Sequence, residues 1–158
     1  MSGAGDLRAG EVAVETPSAA DAGLWFIGRI ATPWTARADC PRGGDVEAGP
    51  VCRITVFEPW VAGLDGLAAH PFIQVLYWMH EARRDLVRQS PRHVEGPRGT
   101  FALRSPMRPN PIASSVVRLL GVEGPVVSTR GLDCLDGTPL LDLKPARPWR
   151  AEAPGGTG

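Results

Sequence analysis

Lysine is almost missing from this 158-residue chain: Lys144 stands alone beside sixteen arginines. Cysteine is scarce too. Cys40, Cys52 and Cys134 are odd in number, widely spaced and form no Cys-x-x-Cys pair, which argues against a disulfide scaffold or a zinc ribbon. The three histidines are His70, His80 and His93, and His80-Glu81 opens like the zinc motif His-Glu-x-x-His. Arg84 occupies the place of the second imidazole, so no metal site is expected. No apolar run approaches the ~20 residues of a membrane-spanning helix. The first 23 residues lack the apolar stretch of a secretory signal, and the expected compartment is the cytoplasm. Long helices are disfavoured by 19 glycines and 16 prolines. With 43% hydrophobic and 22% charged residues there is material for a core, so the composition points to short strands and many turns.

Residues 1–22 are small, polar and aperiodic and read as a flexible leader. Strand-forming residues begin at Leu24–Ile30, followed by a polar loop over residues 38–50. Val51–Phe57 alternates apolar and polar positions, as a half-buried strand does. Phe72–Met79 is almost wholly apolar and is expected to be a central strand; residues 81–90 read as one short helix stopped by Pro91. Further strands are expected over Gly99–Arg104, Ser114–Val122 and Val126–Leu135, and residues 147–158 read as a flexible tail. Loops this short cannot carry parallel crossovers. The expected fold is therefore all-β and mainly antiparallel: a small closed β-barrel over residues 23–146 with one short helix.

Two segments carry unusual chemistry. In Arg104–Ile112, RSPMRPNPI, three prolines stiffen a loop that presents two arginines, a serine and an asparagine. In Leu132–Pro145, LDCLDGTPLLDLKP, Asp133, Asp136 and Asp142 offer acceptors for a ribose or a cation, although Asp136-Gly137 is also an ordinary turn signal. Eight arginines lie between His80 and Arg118 against Glu81, Asp85 and Glu95. Such a stripe is the footprint of a nucleic-acid partner, or simply a solvated face.

These two segments, together with Cys40-Pro41-Arg42-Gly43, resemble the signature of the TsaA-like family, which includes the TrmO-type tRNA methyltransferases. The resemblance runs from about Trp25 to Pro145. It implies a dimeric β-barrel that binds S-adenosylmethionine and methylates the exocyclic N6 amine of threonylcarbamoyladenosine beside the tRNA anticodon. Carried over by position, it implies cofactor contacts from Pro41, Arg42, Gly43, Phe72, Ile73, Arg104, Ser114, Leu135, Asp136, Gly137 and Thr138. Arg108 and Asn110 would face the substrate or fix their loop. Asp136 is the candidate proton acceptor, with turn formation as its competing role. The chain departs from the family pattern at Gly43, Phe72-Ile73-Gln74, Ala113 and Ala146, and it is expected to be without the C-terminal extension of longer members. Methylation of a small molecule and non-catalytic cofactor binding therefore stand as alternatives.

Overall fold

A computed structural model of the chain describes residues 6–147. Residues 1–5 of the leader, and the tail beyond Arg147, lie outside the described residues. The strands are β1 (Val12–Ala13), β2 (Gly28–Ala31), β3 (Val51–Val56), β4 (Phe72–Trp78), β5 (Leu86–Gln89), β6 (Arg98–Gly99), β7 (Ile112–Glu123), β8 (Val126–Arg130) and β9 (Thr138–Pro145). Six of them close a barrel in the order β2-β3-β8-β7-β4-β9, and β1-β5-β6 form a separate small sheet. Every pairing is antiparallel.

The period-two pattern in the sequence fills the barrel. In β3, Cys52, Ile54 and Val56 point inward while Arg53 and Thr55 point out. In β4, Ile73, Val75 and Tyr77 are buried. Ile30, Val117, Val127 and Leu140 complete an interior with no solvent access, as expected where a barrel is too narrow for anything but side chains. Each such residue contributes roughly 1.5–3 kcal/mol by burial. The near-continuous apolar run of β4 is explained by its outer face. There Trp78 lies under the Arg84 guanidinium at 5.2 Å and Phe72 under that of Arg118 at 5.0 Å.

Several elements differ from the sequence reading, the strand expected over residues 126–135 ending at Arg130 among them. Residues 81–90 do not form a helix: a turn leads into β5, which pairs with β1 and β6. Arg83 Nε and Nη2 donate to the two carboxylate oxygens of Asp85 at 2.7 and 2.8 Å, an i,i+2 pairing whose partners would not face each other on a helix. A helix this short is also marginal without a packed face. Helical geometry among the described residues is limited to 3-10 turns at Arg37–Asp39, Val61–Leu64, Leu67–Ala69 and Thr100–Ala102. The strand expected over residues 99–104 shrinks to β6.

The sixth barrel strand is instead β9, which pairs with both β2 and β4. Its prolines, Pro139 and Pro145, hid it, since proline argues against a central strand. A bulge beside Leu76/Tyr77 and the position of both prolines near the strand ends accommodate them. The leader segment is also partly tied down: β1 lies within it, and Ser90 Oγ donates to the Ala9 carbonyl at 2.6 Å.

Candidate functional site

A cleft of about 670 Å³ opens at the barrel end where β4 finishes and β7 begins. Tyr77 forms its floor; Ile112–Ser115 of β7, the turn around Asp133–Thr138, the loop through Cys40-Pro41-Arg42, and the proline-rich loop Arg104–Arg108 supply the walls. Local hydrogen bonds hold each wall. Arg37 Nε pairs with Glu81 Oε2 at 3.3 Å and its Nη2 donates to the Glu81 carbonyl, which ties the 37–42 loop to the turn after β4. Arg84 donates to the Pro109 carbonyl at 2.6 Å and to Asn110 Oδ1 at 3.1 Å. Arg108 Nη2 donates to the carbonyls of Thr100 and Leu103 at 3.0 and 2.7 Å, bracing the proline-rich loop against the 3-10 turn. Its Nε is buried with no partner.

The Asp136-Gly137 turn is stitched to the end of β2. Asp136 Oδ1 accepts from the Thr32 backbone N–H at 3.0 Å, and the Asp136 N–H donates to the Trp34 carbonyl at 2.7 Å. Gly137 sits at φ +80°, left-handed backbone that only glycine adopts without strain, and its N–H donates to the Ile30 carbonyl at 2.8 Å.

Of the residues expected from the sequence, the cleft brings together Pro41, Arg42, Arg104, Arg108, Ser114, Leu135 and Thr138. Gly43, Asn110, Asp136 and Gly137 do not line it. Phe72 and Ile73 lie at the other end of β4, about 13–17 Å along the strand from Tyr77. Ile73 is buried in the core and Phe72 packs against Arg118. Arg84, in the basic stripe, is committed to holding the loop.

The cleft adds residues that the sequence did not single out. Tyr77, the only tyrosine of the chain, is 3% exposed and was hidden in a strand read as core. Its hydroxyl lies 2.8 Å from Ser115 Oγ and donates to Asp133 Oδ1 at 3.0 Å. Burial, reinforced by the Asp133 charge, pushes the phenol far up, so it stays a neutral donor. Burial pushes the Cys134 thiol up to about 12 and raises Cys40 as well. His80 and Glu81, noticed in the sequence only as a broken metal motif, sit on the wall with Met79. Asp133 is the one sequence-noted acceptor of three that lines the cleft; Asp136 accepts from Thr32, and Asp142 pairs with Lys144 at 2.7 Å.

Residues 29–149 match the family described as the tRNA-methyltransferase O N-terminal domain. The chain is 50% identical over 141 residues to a protein of Rhizobium radiobacter named probable S-adenosyl-L-methionine-binding protein VirR, covering 89% of this chain and 80% of that one. It is 40% identical over 122 residues to an S-adenosyl-L-methionine-binding protein of Archaeoglobus fulgidus, covering 77% and 87%. Among solved structures, TrmO from Pseudomonas aeruginosa superimposes with a TM-score of 0.69 at 30% identity, covering 87% of this chain. The present chain spans 61% of that longer one.

Proposed function

The chain belongs to the family of tRNA-methyltransferase O N-terminal domains, and from that premise we propose that it is an S-adenosylmethionine-dependent methyltransferase acting on the exocyclic N6 amine of threonylcarbamoyladenosine beside a tRNA anticodon. The observation that carries the reading is the cleft itself. Its volume falls in the roughly 300–1,000 Å³ range of small-molecule sites, and apolar walls from Met79, Pro106, Ile112 and Leu135 surround a few convergent polar groups.

The residues present fit the cofactor. Arg42 and Arg104 are exposed guanidiniums with no ion pair among the described residues, suited to a methionyl carboxylate or to the threonyl carboxylate of the acceptor. The buried, unpartnered Arg108 Nε leaves a donor in the wall unanswered by protein. Leu135 and Thr138 would border the nucleoside, with the Asp136-Gly137 turn shaping that wall through its backbone. Pro41 and Ser114 would complete the enclosure.

When bound, the cofactor supplies an already activated methyl group, so no metal is required. The chain's own work is to align the reacting groups and to keep water away from them. The Arg37–Glu81 and Arg84–Asn110 ties fix the 37–42 loop and the proline-rich loop to the turn after β4. Asn110 and Arg108 thereby position the loop from which Arg104 projects. Arg88, Arg92 and Arg98 lie exposed on the small sheet and its loop, without an ion pair among the described residues, and they are suited to tRNA phosphates. The reading also includes a cytoplasmic homodimer. Leu24, Trp25 and Phe26 are 57, 76 and 47% exposed, an apolar edge of the kind that a second copy covers.

The test is transfer of labelled methyl to bulk tRNA taken from cells without their own enzyme of this type, followed by nucleoside digestion and mass spectrometry. A methylated threonylcarbamoyladenosine peak, lost in Arg104→Ala, is expected. Cofactor binding without that peak would shift the acceptor to a small molecule. Binding with no multiple-turnover transfer to any acceptor would leave a cofactor-binding protein.

A further inference from the structure

We propose that Asp133 reads the positive charge of the sulfonium and so separates S-adenosylmethionine from its demethylated product, with Tyr77 and Ser115 as the positioning residues that aim it. The inference rests on the cofactor reading above and deepens it. Two carboxylates line the cleft, Glu81 and Asp133, among four arginines. Glu81 is half exposed and already engaged by Arg37. Asp133 makes no ion pair among the described residues, so its charge is the one left for a ligand.

Its orientation is fixed from below. The buried Tyr77 hydroxyl donates to Oδ1 at 3.0 Å, and Ser115, 2.8 Å from that hydroxyl, can donate to it in turn. The tyrosine cannot ionise in the working pH range, so the chain of donors keeps one direction and leaves Oδ2 free. Partial burial between Cys134 and Tyr77 limits hydration of the carboxylate. A weakly hydrated sulfonium suits such an anion, whereas the ammonium of the methionyl tail is strongly hydrated and suits the exposed mouth near Glu81. The cofactor and its product share ribose, carboxylate and ammonium and differ in the methyl group and its charge. A carboxylate placed toward the sulfur would hold the charged form more tightly than the neutral one.

The experiment is calorimetric titration of the full chain with S-adenosylmethionine and with S-adenosylhomocysteine, alongside thermal melts. Asp133→Asn keeps the shape and the Tyr77 hydrogen bond but removes the charge. It should lower the ratio of the two affinities by at least about tenfold, the change equivalent to 1.4 kcal/mol, while product affinity stays within about threefold. Tyr77→Phe retains the carboxylate but frees it to turn, and should lower the ratio by a smaller factor in a protein that still melts cooperatively. Equal loss for both ligands, or an unchanged ratio, would overturn the inference, because Asp133 would then hold a group the ligands share or none. Failure of the unmodified chain to bind either ligand would overturn the cofactor reading itself, and this inference with it.

Discussion

The sequence leaves Asp136 two roles, proton acceptor or turn residue, and two substitutions separate them. As a proton acceptor its carboxylate must face the acceptor amine. In the structure its Oδ1 accepts the Thr32 N–H at 3.0 Å, outside the cleft lining, and so ties the turn before β9 to the end of β2. Asp136→Ala removes that acceptor. A net hydrogen bond contributes about 0.5–1.5 kcal/mol, and the lower half applies here because the bond is solvent-exposed. For a chain of this length each kcal/mol moves the melting temperature by about 2–4 °C, so the alanine variant should melt roughly 1–4 °C lower. Asp136→Asn keeps an acceptor oxygen in place and should melt within about 1 °C of the unmodified protein. The decisive assay is kcat for methyl transfer, read beside the melts. Loss of a general base costs about 10²–10⁴-fold, whereas a turn residue replaced by its amide should leave kcat within about threefold. A folded Asp136→Asn protein with unchanged melting temperature and cofactor affinity but kcat reduced a hundredfold or more would refute the structural role.

Gln89 is 2% exposed and donates to Thr100 Oγ1 at 3.0 Å and to the Met107 carbonyl at 2.6 Å. Gln89→Leu should cost about 1–3 kcal/mol by leaving the Met107 carbonyl unpaired, Thr100 Oγ1 keeping its bond to the Leu86 carbonyl, and should weaken cofactor binding by loosening the Arg104 loop; unchanged melting and titration curves would contradict this. Arg83, through its hydrogen bonds, holds the Asp85 carboxyl below its usual range. The stabilisation is therefore present at neutral pH and is lost as pH falls through that depressed value. Arg83→Gln should flatten the acid limb of stability against pH in denaturant titrations. All three thiols are raised by burial, but only Cys40 is part-exposed, so alkylation at pH 8 should modify Cys40 first and the buried Cys52 and Cys134 after unfolding, as peptide mass mapping would report. Replacing the exposed Trp25, whose ring lies tilted 6.1 Å from that of Trp60, with Asp should shift sedimentation from dimer to monomer; an unmodified chain that sediments as a monomer would dismiss the proposed dimer.

The all-β class, most barrel strands and the proline-rich loop were legible in the residues. Alternation in Val51–Val56 states which side chains turn inward, because a strand's two faces are set by its own backbone, whereas the apolar run Phe72–Trp78 marks a strand without marking its inner face. Pro106, Pro109 and Pro111 announced the rigid loop in the same local way. The misread elements answered to distant partners. Residues 86–89 are extended because β1 and β6 flank them, and Thr138–Pro145 is a strand because β2 and β4 offer it two ladders that its prolines do not advertise. The site follows the same division. Arg104, Ser114 and Leu135, which line the cleft, were named through the family resemblance that the motifs carry. The contact of Tyr77 with Ser115, 38 positions away, and with Asp133, 56 away, was not. The sequence by itself determined the strands' faces and the chemistry of the loops, since both depend on near neighbours. Only closure of the barrel decided which strand completed it and which carboxylate entered the cleft, since pairing partners and convergence in space depend on residues that chain order keeps far apart.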